Sequence, residues 1–209
     1  MNRPLILVGG GGHCKSVIEA AESSGFEIKG ILDLPTEIGK TILGYKVIGS
    51  DENIPQYVEA CDFVITLGFI KKPKVRNQLH AHIEEIGGHF ATIIASSAHV
   101  SKHTTIGEGT VILHGAMVNA GATIGKGCII NTLANIEHDA TVGNYCHIST
   151  GAMVNGDCVI GDNTFLGSGS IMHNATSIPD HSIFSAGCVI TKSFSVSGLY
   201  AGQPAKFIK

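Results

Sequence analysis

An aliphatic residue recurs at every sixth position through most of the second half of this 209-residue chain. The series has no insertion and consists of Ile94, Val100, Ile106, Ile112, Val118, Ile124, Ile130, Ile136, Val142, Ile148, Val154, Ile160, Leu166, Met172 and Ile178. Four residues after the aliphatic residue the side chain is small, as in Ala116, Cys128 and Thr164. A period of six fits neither the 3.6-residue helical repeat nor the alternation of a simple meander. It predicts short parallel strands stacked as a solenoid, in which three hexads make an 18-residue coil and residues 94–183 supply about five coils.

The cysteines follow the same repeat. Four of the six, Cys128, Cys146, Cys158 and Cys188, lie at or next to the small position of a hexad. We interpret them as small fillers of a narrow interior. Because the sequence contains no CxxC pair and no secretion signal, free thiols are expected.

Charge and hydropathy exclude several classes of protein. The 14 Lys and Arg residues against 17 Asp and Glu residues give a net charge of −3, so the chain lacks the basic surface that nucleic-acid binding requires. No apolar run approaches the length of a membrane span, and Leu5–Val8 is too short for a signal sequence. The expectation is a cytoplasmic globular protein.

The first 93 residues carry a different pattern, in which apolar runs alternate with amphipathic stretches. The expected strands are Leu5–Val8, Ile28–Leu32, Phe63–Leu67 and His89–Ile94; one expected helix ends near Gly25, and another presents Val75, Leu79, Ile83 and Ile86. Such alternation predicts a small parallel α/β unit. We therefore expect a Rossmann-like α/β domain over residues 1–93, and a β-helix with a C-terminal tail over residues 94–209.

A glycine-rich turn, Gly9–Gly12, joins the first strand to the first helix. Such a turn exposes backbone N–H groups at the positive end of a helix and can hold a phosphate. Asp33 lies 21 residues after Gly12, a suitable distance for an acid that binds a ribose. The dinucleotide fingerprint is incomplete because its third glycine is Cys14, and the domain is short for NAD. A nucleotide site and a purely structural turn both fit this pattern.

One histidine is flanked by carboxylates. His138 occupies the third position of the hexad that begins at Ile136 and should point outward, between Glu137 and Asp139. A carboxylate partner holds an imidazole in one tautomer and makes it more basic, as a general base near neutral pH requires. The sequence leaves open which carboxylate is the partner, and an exposed histidine without a catalytic role also fits.

The motifs together resemble one family along essentially the whole chain. They are G-x-x-G-H after the first strand, a second strand that ends in Asp33, the hexads, Ile130–Thr132, Ile136–Asp139, His147–Gly151 and Gly202–Lys206. This set resembles the bacterial hexapeptide-repeat sugar acyltransferases, which include sialic acid O-acetyltransferases and N-acetyltransferases of UDP-linked 4-amino sugars. The resemblance implies a left-handed parallel β-helix, acetyl-CoA as cosubstrate and a sugar acceptor that is nucleotide-linked. It also implies a homotrimer with active sites between neighbouring chains.

The resemblance also implies roles for individual residues. His138 is the implied general base, with Asp139 raising its basicity and the amide of Gly156, one coil further on, as a candidate donor to the oxyanion. The implied acetyl-CoA contacts are Asn131, His147, Ser168, Ala186 and Lys206. The implied nucleotide-sugar contacts are Gly11, Gly12, His13, Asp33, Leu34 and Gly68.

Two other functions are possible on the same scaffold. A γ-type carbonic anhydrase needs two histidine ligands five residues apart, and no two of the 11 histidines have that spacing, so no metal site is expected. A non-catalytic protein that binds nucleotide sugars is the other alternative. The sequence does not distinguish an amine acceptor from a hydroxyl acceptor.

Overall fold

The computed structural model describes residues 3–70 and 73–209. The N-terminal part contains β1 (Leu5–Val8), α1 (Gly12–Ser23), β2 (Ile28–Leu32), β3 (Thr41–Ile42), β4 (Tyr45–Gly49), β5 (Asp62–Ile65), α2 (Lys74–Glu85) and β6 (His89–Phe90), with 3₁₀ turns at Pro35–Glu37 and Asp51–Gln56. The sheet order is β3-β4-β2-β1-β5-β6, and the strands are parallel except for the β3–β4 hairpin. The carboxyl ends of β1, β2 and β5 therefore meet at one edge of the sheet.

The apolar faces of the two helices explain where they pack. In α1 the residues Cys14, Val17, Ile18, Ala20 and Ala21 are buried, and the helix ends where Gly25 adopts a φ of 75°. In α2 the buried set is Arg76, Leu79, His80 and Ile83. The expected stripe was wrong at Val75, whose side chain is 57% exposed. Arg76 and His80 are buried on this helix, although their hydropathy predicts that both lie at the surface.

Two strand boundaries differ from the expectation. The segment 89–94 is not one strand, because Ala91 N–H still bonds to Phe63 in the α/β sheet whereas Ile93 N–H bonds to Thr110 in the solenoid. The chain thus changes hydrogen-bond partners at Thr92. The expected strand Phe63–Leu67 is Asp62–Ile65 in the structure. The hairpin β3–β4 had no clear signal in the sequence.

The remainder of the chain forms a parallel β-helix with three faces. Its two-residue strands β7 to β23 are Ile93–Ile94, His99–Val100, Thr105–Ile106, Val111–Ile112, Met117–Val118, Thr123–Ile124, Ile129–Ile130, Asn135–Ile136, Thr141–Val142, His147–Ile148, Met153–Val154, Val159–Ile160, Phe165–Leu166, Ile171–Met172, Ser177–Ile178, Ile183–Phe184 and Val189–Ile190. β24 (Leu199–Ala201) and β25 (Lys206–Phe207) close the end. The first face contains β7, β10, β13, β16, β19 and β22; the second contains β8, β11, β14, β17, β20 and β23; the third contains β9, β12, β15, β18 and β21.

The hexads account for this architecture. Strands pair in a register of 18 residues, such as Val111 with Ile129 and Ile129 with His147. Residues 93–209 are described throughout, and β7–β21 form five coils while β22 and β23 begin a sixth. The aliphatic positions from Ile112 onward are buried inside the solenoid together with the small positions. The expected fold, a small α/β domain followed by a hexapeptide-repeat β-helix, is confirmed.

The small interior positions also make hydrogen bonds. Between the third and first faces, Thr110, Cys128, Cys146 and Thr164 each donate to a carbonyl oxygen 15 residues later, at 2.8 to 3.1 Å. A small side chain with a donor therefore satisfies a backbone acceptor that the turn would leave unpaired. All six cysteines are buried free thiols, as expected.

The α/β part covers the first face of the β-helix. Leu5, Leu7 and Val17 share one hydrophobic core with Val111 and Ile129 of the first face. The boundary expected near residue 93 is therefore a change of architecture within one continuous core. Within residues 3–70 and 73–209, no helix has the length and apolarity needed to span a membrane.

Candidate active site

His138 lies in the turn between β14 and β15, at the edge between the second and third faces. Its side chain is 56% exposed, and its Nδ1 lies 2.9 Å from Oδ2 of Asp139. This hydrogen bond, with the added charges of Asp139, Asp157 and Glu137, raises the pKa of His138 above its ordinary value. Since Nδ1–H donates to Asp139, the lone pair of the neutral ring is on Nε2 and is free to accept a proton.

The structure decides between the two carboxylates that flank His138. Glu137 accepts hydrogen bonds from two side-chain amides, from Asn119 Nδ2 at 3.1 Å and from Asn135 Nδ2 at 2.9 Å. Asp139 has a positive φ of 59°, and its carboxylate meets the imidazole. Asp139 is therefore the partner of His138.

Gly156 lies against the free nitrogen of His138. A Cβ at this position would be 2.7 Å from both Cε1 and Nε2 of the imidazole, so a larger residue would displace the ring from its present position. The Gly156 amide makes no hydrogen bond to the described residues. Because Gly156 adjoins the imidazole, its unpaired N–H is a candidate donor to an oxyanion.

His147, on the first face, is a different kind of histidine. It is 8% exposed, its Nδ1–H donates to the carbonyl of Phe69 at 2.8 Å, and its Nε2 accepts from Asn131 Nδ2 at 3.1 Å. Asn131 Oδ1 accepts from the Thr132 amide, which fixes the orientation of the Asn131 side chain. Burial lowers the pKa of His147 to about 4. This histidine is therefore neutral at pH 7.

A cleft of about 410 Å³ runs along the first face beside His147. Its lining residues are Ile70, His147, Ser149, Phe165, Gly167, Ser168, Ile183, Ser185, Ala186 and Leu199. Three of the residues expected to contact acetyl-CoA thus share one apolar cleft, and Asn131 adjoins it through His147. Lys206 lies on β25, paired with Ala201, and is not among the residues that line the cleft.

The residues expected to bind the nucleotide sugar gather at the carboxyl ends of β1, β2 and β5. Gly11 precedes α1 and Gly12 begins it, and a Cβ at either position would meet no atom within 4 Å. The fold itself does not need glycine there, whereas a ligand that approaches the backbone closely would. Gly10 differs, since a Cβ there would lie 2.5 Å from Asp33 Oδ2.

Two small pockets lie at this edge of the sheet, and one of them is lined by Gly9. They measure about 190 and 180 Å³, and both are lined by Asp33, Leu34 and Asp51. Asp51, which had no signal in the sequence, has its pKa raised by burial and by the charge of Asp33. Gly68 packs beside His13, and the ring of His13 lies 6.4 Å from that of His147. The glycine turn and the cleft are therefore neighbours, with His13 and His147 between them.

Arg76 lies between these regions and is 2% exposed. Its Nε donates to the Leu67 carbonyl at 3.1 Å, and its Nη1 lies 2.8 Å from His80 Nε2. Arg76 thereby ties α2 to the loop that carries Gly68, Phe69 and Ile70. Neither Arg76 nor this loop contact was expected from the sequence, because a buried arginine has no periodic signature.

His138 and the cleft lie on different edges of the β-helix. Ser168 follows β19 and lies between the first and second faces, whereas His138 lies between the second and third faces. Within one chain the second face separates them. No group of three His, Cys, Asp or Glu side chains suited to a metal ion occurs among residues 3–70 and 73–209.

Comparison with known proteins identifies the family. Residues 4–83 match the PglD N-terminal domain, residues 103–132 and 121–156 match the bacterial transferase hexapeptide, and residues 158–192 match the hexapeptide repeat of succinyl-transferase. The acetyltransferase domain of PglB from Neisseria gonorrhoeae FA1090, solved with acetyl coenzyme A, is 30% identical over 100% of both chains, with a TM-score of 0.91. The chain belongs to the PglD-type family of hexapeptide-repeat sugar N-acetyltransferases.

Further comparisons agree with this family. PerB from Caulobacter crescentus, solved with CoA and GDP-perosamine, is 30% identical over 99% of this chain and 97% of PerB, with a TM-score of 0.91. WeeI from Acinetobacter baumannii AYE, 22% identical over 98% of this chain and 99% of its own, shares the fold with a TM-score of 0.84. The comparison with curated protein sequences gave no match. As a member of the family, the protein is an acetyl-CoA-dependent sugar acetyltransferase, and the expected enzyme class is confirmed.

Proposed function

We propose that this protein transfers the acetyl group of acetyl-CoA to the amine of a nucleoside-diphosphate-linked amino sugar. The observation that carries the proposal is the His138–Asp139 pair, whose free Nε2 lies beside Gly156 in the next coil. An amine acceptor agrees with PerB, which was solved with CoA and GDP-perosamine.

In this mechanism His138 Nε2 accepts a proton from the sugar amine as the nitrogen attacks the thioester carbonyl. A C–N bond forms, and the carbonyl electrons move to an oxyanion that the Gly156 N–H stabilises. The C–S bond then breaks, and the CoA thiolate leaves and takes up the proton that His138 accepted from the amine. No covalent enzyme intermediate is required, and the cysteines are buried.

We assign the pantetheine arm of acetyl-CoA to the cleft beside His147, Ser168 and Ala186, with Asn131 next to the thioester and Lys206 near a CoA phosphate. The nucleotide sugar is assigned to Gly11, Gly12, His13, Asp33, Leu34 and Gly68. The unfilled space at Gly11 and Gly12 supports a diphosphate at the start of α1.

We further propose a homotrimer in which the cleft of one chain meets the His138 edge of its neighbour. Along the second face, Met117 and Met153 are 43% and 40% exposed, and Leu133 at its edge is 64% exposed. These apolar side chains suit burial against a second copy. Because this face separates the base from the cleft, packing it against a neighbour would bring the two together.

Incubation with acetyl-CoA and a panel of UDP-, GDP- and CMP-linked amino and hydroxy sugars tests the activity, read as acceptor mass gain and free thiol. We expect His138→Ala to lose at least 100-fold in kcat while it still binds CoA, because a positioned general base contributes about 10²- to 10⁴-fold. His103→Ala, which removes another exposed histidine at the same edge, is the control. Turnover at the wild-type level in His138→Ala would exclude His138 as the base.

A further inference from the structure

The turn that carries Asp139 repeats one coil apart along the edge between the second and third faces. The stacked residues are Gly121, Asp139, Asp157 and Ala175, with φ values of 77°, 59°, 59° and 54°. Their backbones share the left-handed region, and Ala175 shows that an alanine fits this backbone. The conformation alone therefore does not account for a glycine at position 121.

The neighbouring coil does account for it. A Cβ on Gly121 would overlap Oδ1 of Asp139 and lie 3.2 Å from its Cγ. The other oxygen of that carboxylate, Oδ2, accepts the hydrogen bond from His138 Nδ1 at 2.9 Å. The space left by the missing side chain of Gly121 is thus filled by the carboxylate that holds the imidazole.

Asn119, two residues earlier in the same turn, acts on the other carboxylate. Its Nδ2 bonds to Glu137 Oε2 at 3.1 Å, while Asn135 Nδ2 bonds to Oε1 at 2.9 Å. Glu137 is therefore engaged away from the imidazole. The preceding coil therefore treats the two carboxylates differently. The amide of Asn119 binds Glu137, whereas the missing side chain of Gly121 leaves room for Asp139.

We infer that Gly121 is a positioning residue for His138, since the absence of its side chain lets the Asp139 carboxylate reach the imidazole Nδ1. This inference rests on the proposed function only in taking His138 as the base. A methyl group at position 121 would push the carboxylate aside and remove the bond that fixes the tautomer. The charges of Glu137 and Asp157 would remain, so the imidazole would lose its hydrogen bond but not its acidic surroundings.

The test compares Gly121→Ala with Gly25→Ala. Gly25 has a φ of 75°, close to the 77° of Gly121, and a Cβ there would meet no atom within 4 Å, so both variants introduce the same backbone strain. For Gly121→Ala we expect kcat to fall about tenfold, less than the loss of about 10²- to 10⁴-fold expected when the base itself is removed, with the KM for acetyl-CoA unchanged. We also expect the acidic limb of the pH–rate profile to move to lower pH, because the pKa of His138 falls when the Asp139 bond is lost. Gly25→Ala should retain the wild-type profile.

An independent readout is the titration of His138 by NMR in protein labelled at the imidazole Cε1. We expect the midpoint to move to lower pH in Gly121→Ala and in Asp139→Asn, and to move no further in the double variant, because both changes remove one interaction. A wild-type midpoint in Gly121→Ala, or full additivity in the double variant, would overturn the inference. If Gly121→Ala does not fold, Gly121→Asn serves instead, since asparagine accepts a positive φ more readily. Retained activity in His138→Ala would contradict the proposed base without affecting this titration.

Discussion

Acid should destabilise this protein through the buried histidines between the α/β part and the β-helix. His80 is 2% exposed, and its Nε2 lies 2.8 Å from Nη1 of Arg76, so its lone pair already accepts a hydrogen bond. Burial, with the nearby charges of Arg76 and Lys126, lowers the pKa of His80 from 6.5 to about 3. The folded protein therefore excludes a proton that the unfolded chain binds readily.

The size and sign of this effect follow from proton linkage. A depressed histidine pKa contributes stability that is fully present above pH 6.5 and is lost as the pH falls from 6.5 toward 3. Each pH unit within that window costs about 1.4 kcal/mol, so His80 alone removes about 2 kcal/mol from the free energy of unfolding at pH 5. His147, whose pKa is lowered to about 4, removes a similar amount.

Urea unfolding at pH 7 and pH 5, at one protein concentration, measures the effect in wild type and in His80→Gln. Glutamine keeps an acceptor for Arg76 but does not titrate, so the variant should lose about 2 kcal/mol less than wild type between the two pH values. His82→Gln is the control, because His82 is exposed on the same helix. An unchanged pH dependence in His80→Gln would show that the folded protein binds the proton at His80, and would refute the reasoning.

Two further predictions concern the assembly of the site. Co-expression of His138→Ala with Ser168→Trp, which blocks the cleft, should restore about a quarter of wild-type activity if the chains mix randomly in a trimer and each site uses two chains. Activity no higher than that of the separate variants would place base and cleft in the same chain. Gly10→Ala should weaken UDP or GDP binding by about 10- to 100-fold, because the added Cβ would displace Asp33, which we propose forms a charge-assisted hydrogen bond to the ribose. Calorimetry should show unchanged CoA binding, and unchanged nucleotide binding would remove Asp33 from the site.

The architecture of the β-helix could be predicted because the constraint is local and repeated. Each coil must present an aliphatic side chain to a narrow interior every sixth residue, so the period appears directly in the sequence. The same period predicts that residues 18 apart stack, which is why Gly156 could be expected beside His138. The two ends of segment 89–94 pair with different sheets, and strand propensity does not reveal that change of partner.

The candidate site was only partly predictable. His138 could be singled out by its flanking carboxylates, yet the choice between Glu137 and Asp139 depends on amides contributed by Asn119 and Asn135. His147 had no sequence signal that it is buried and neutral, because its environment comes from Phe69 and Arg76 on another part of the chain.

The sequence by itself determined the β-helix, the glycine turn before α1 and the identity of the exposed histidine between two carboxylates. These features depend on residues a few positions apart or on a strict 18-residue repeat. Only the tertiary structure decided which carboxylate holds His138, which histidine is kept neutral and which residues share the cleft. Those outcomes depend on side chains that meet across coils and between the α/β part and the first face, where neighbours such as Phe69 and His147 lie 78 residues apart in the chain.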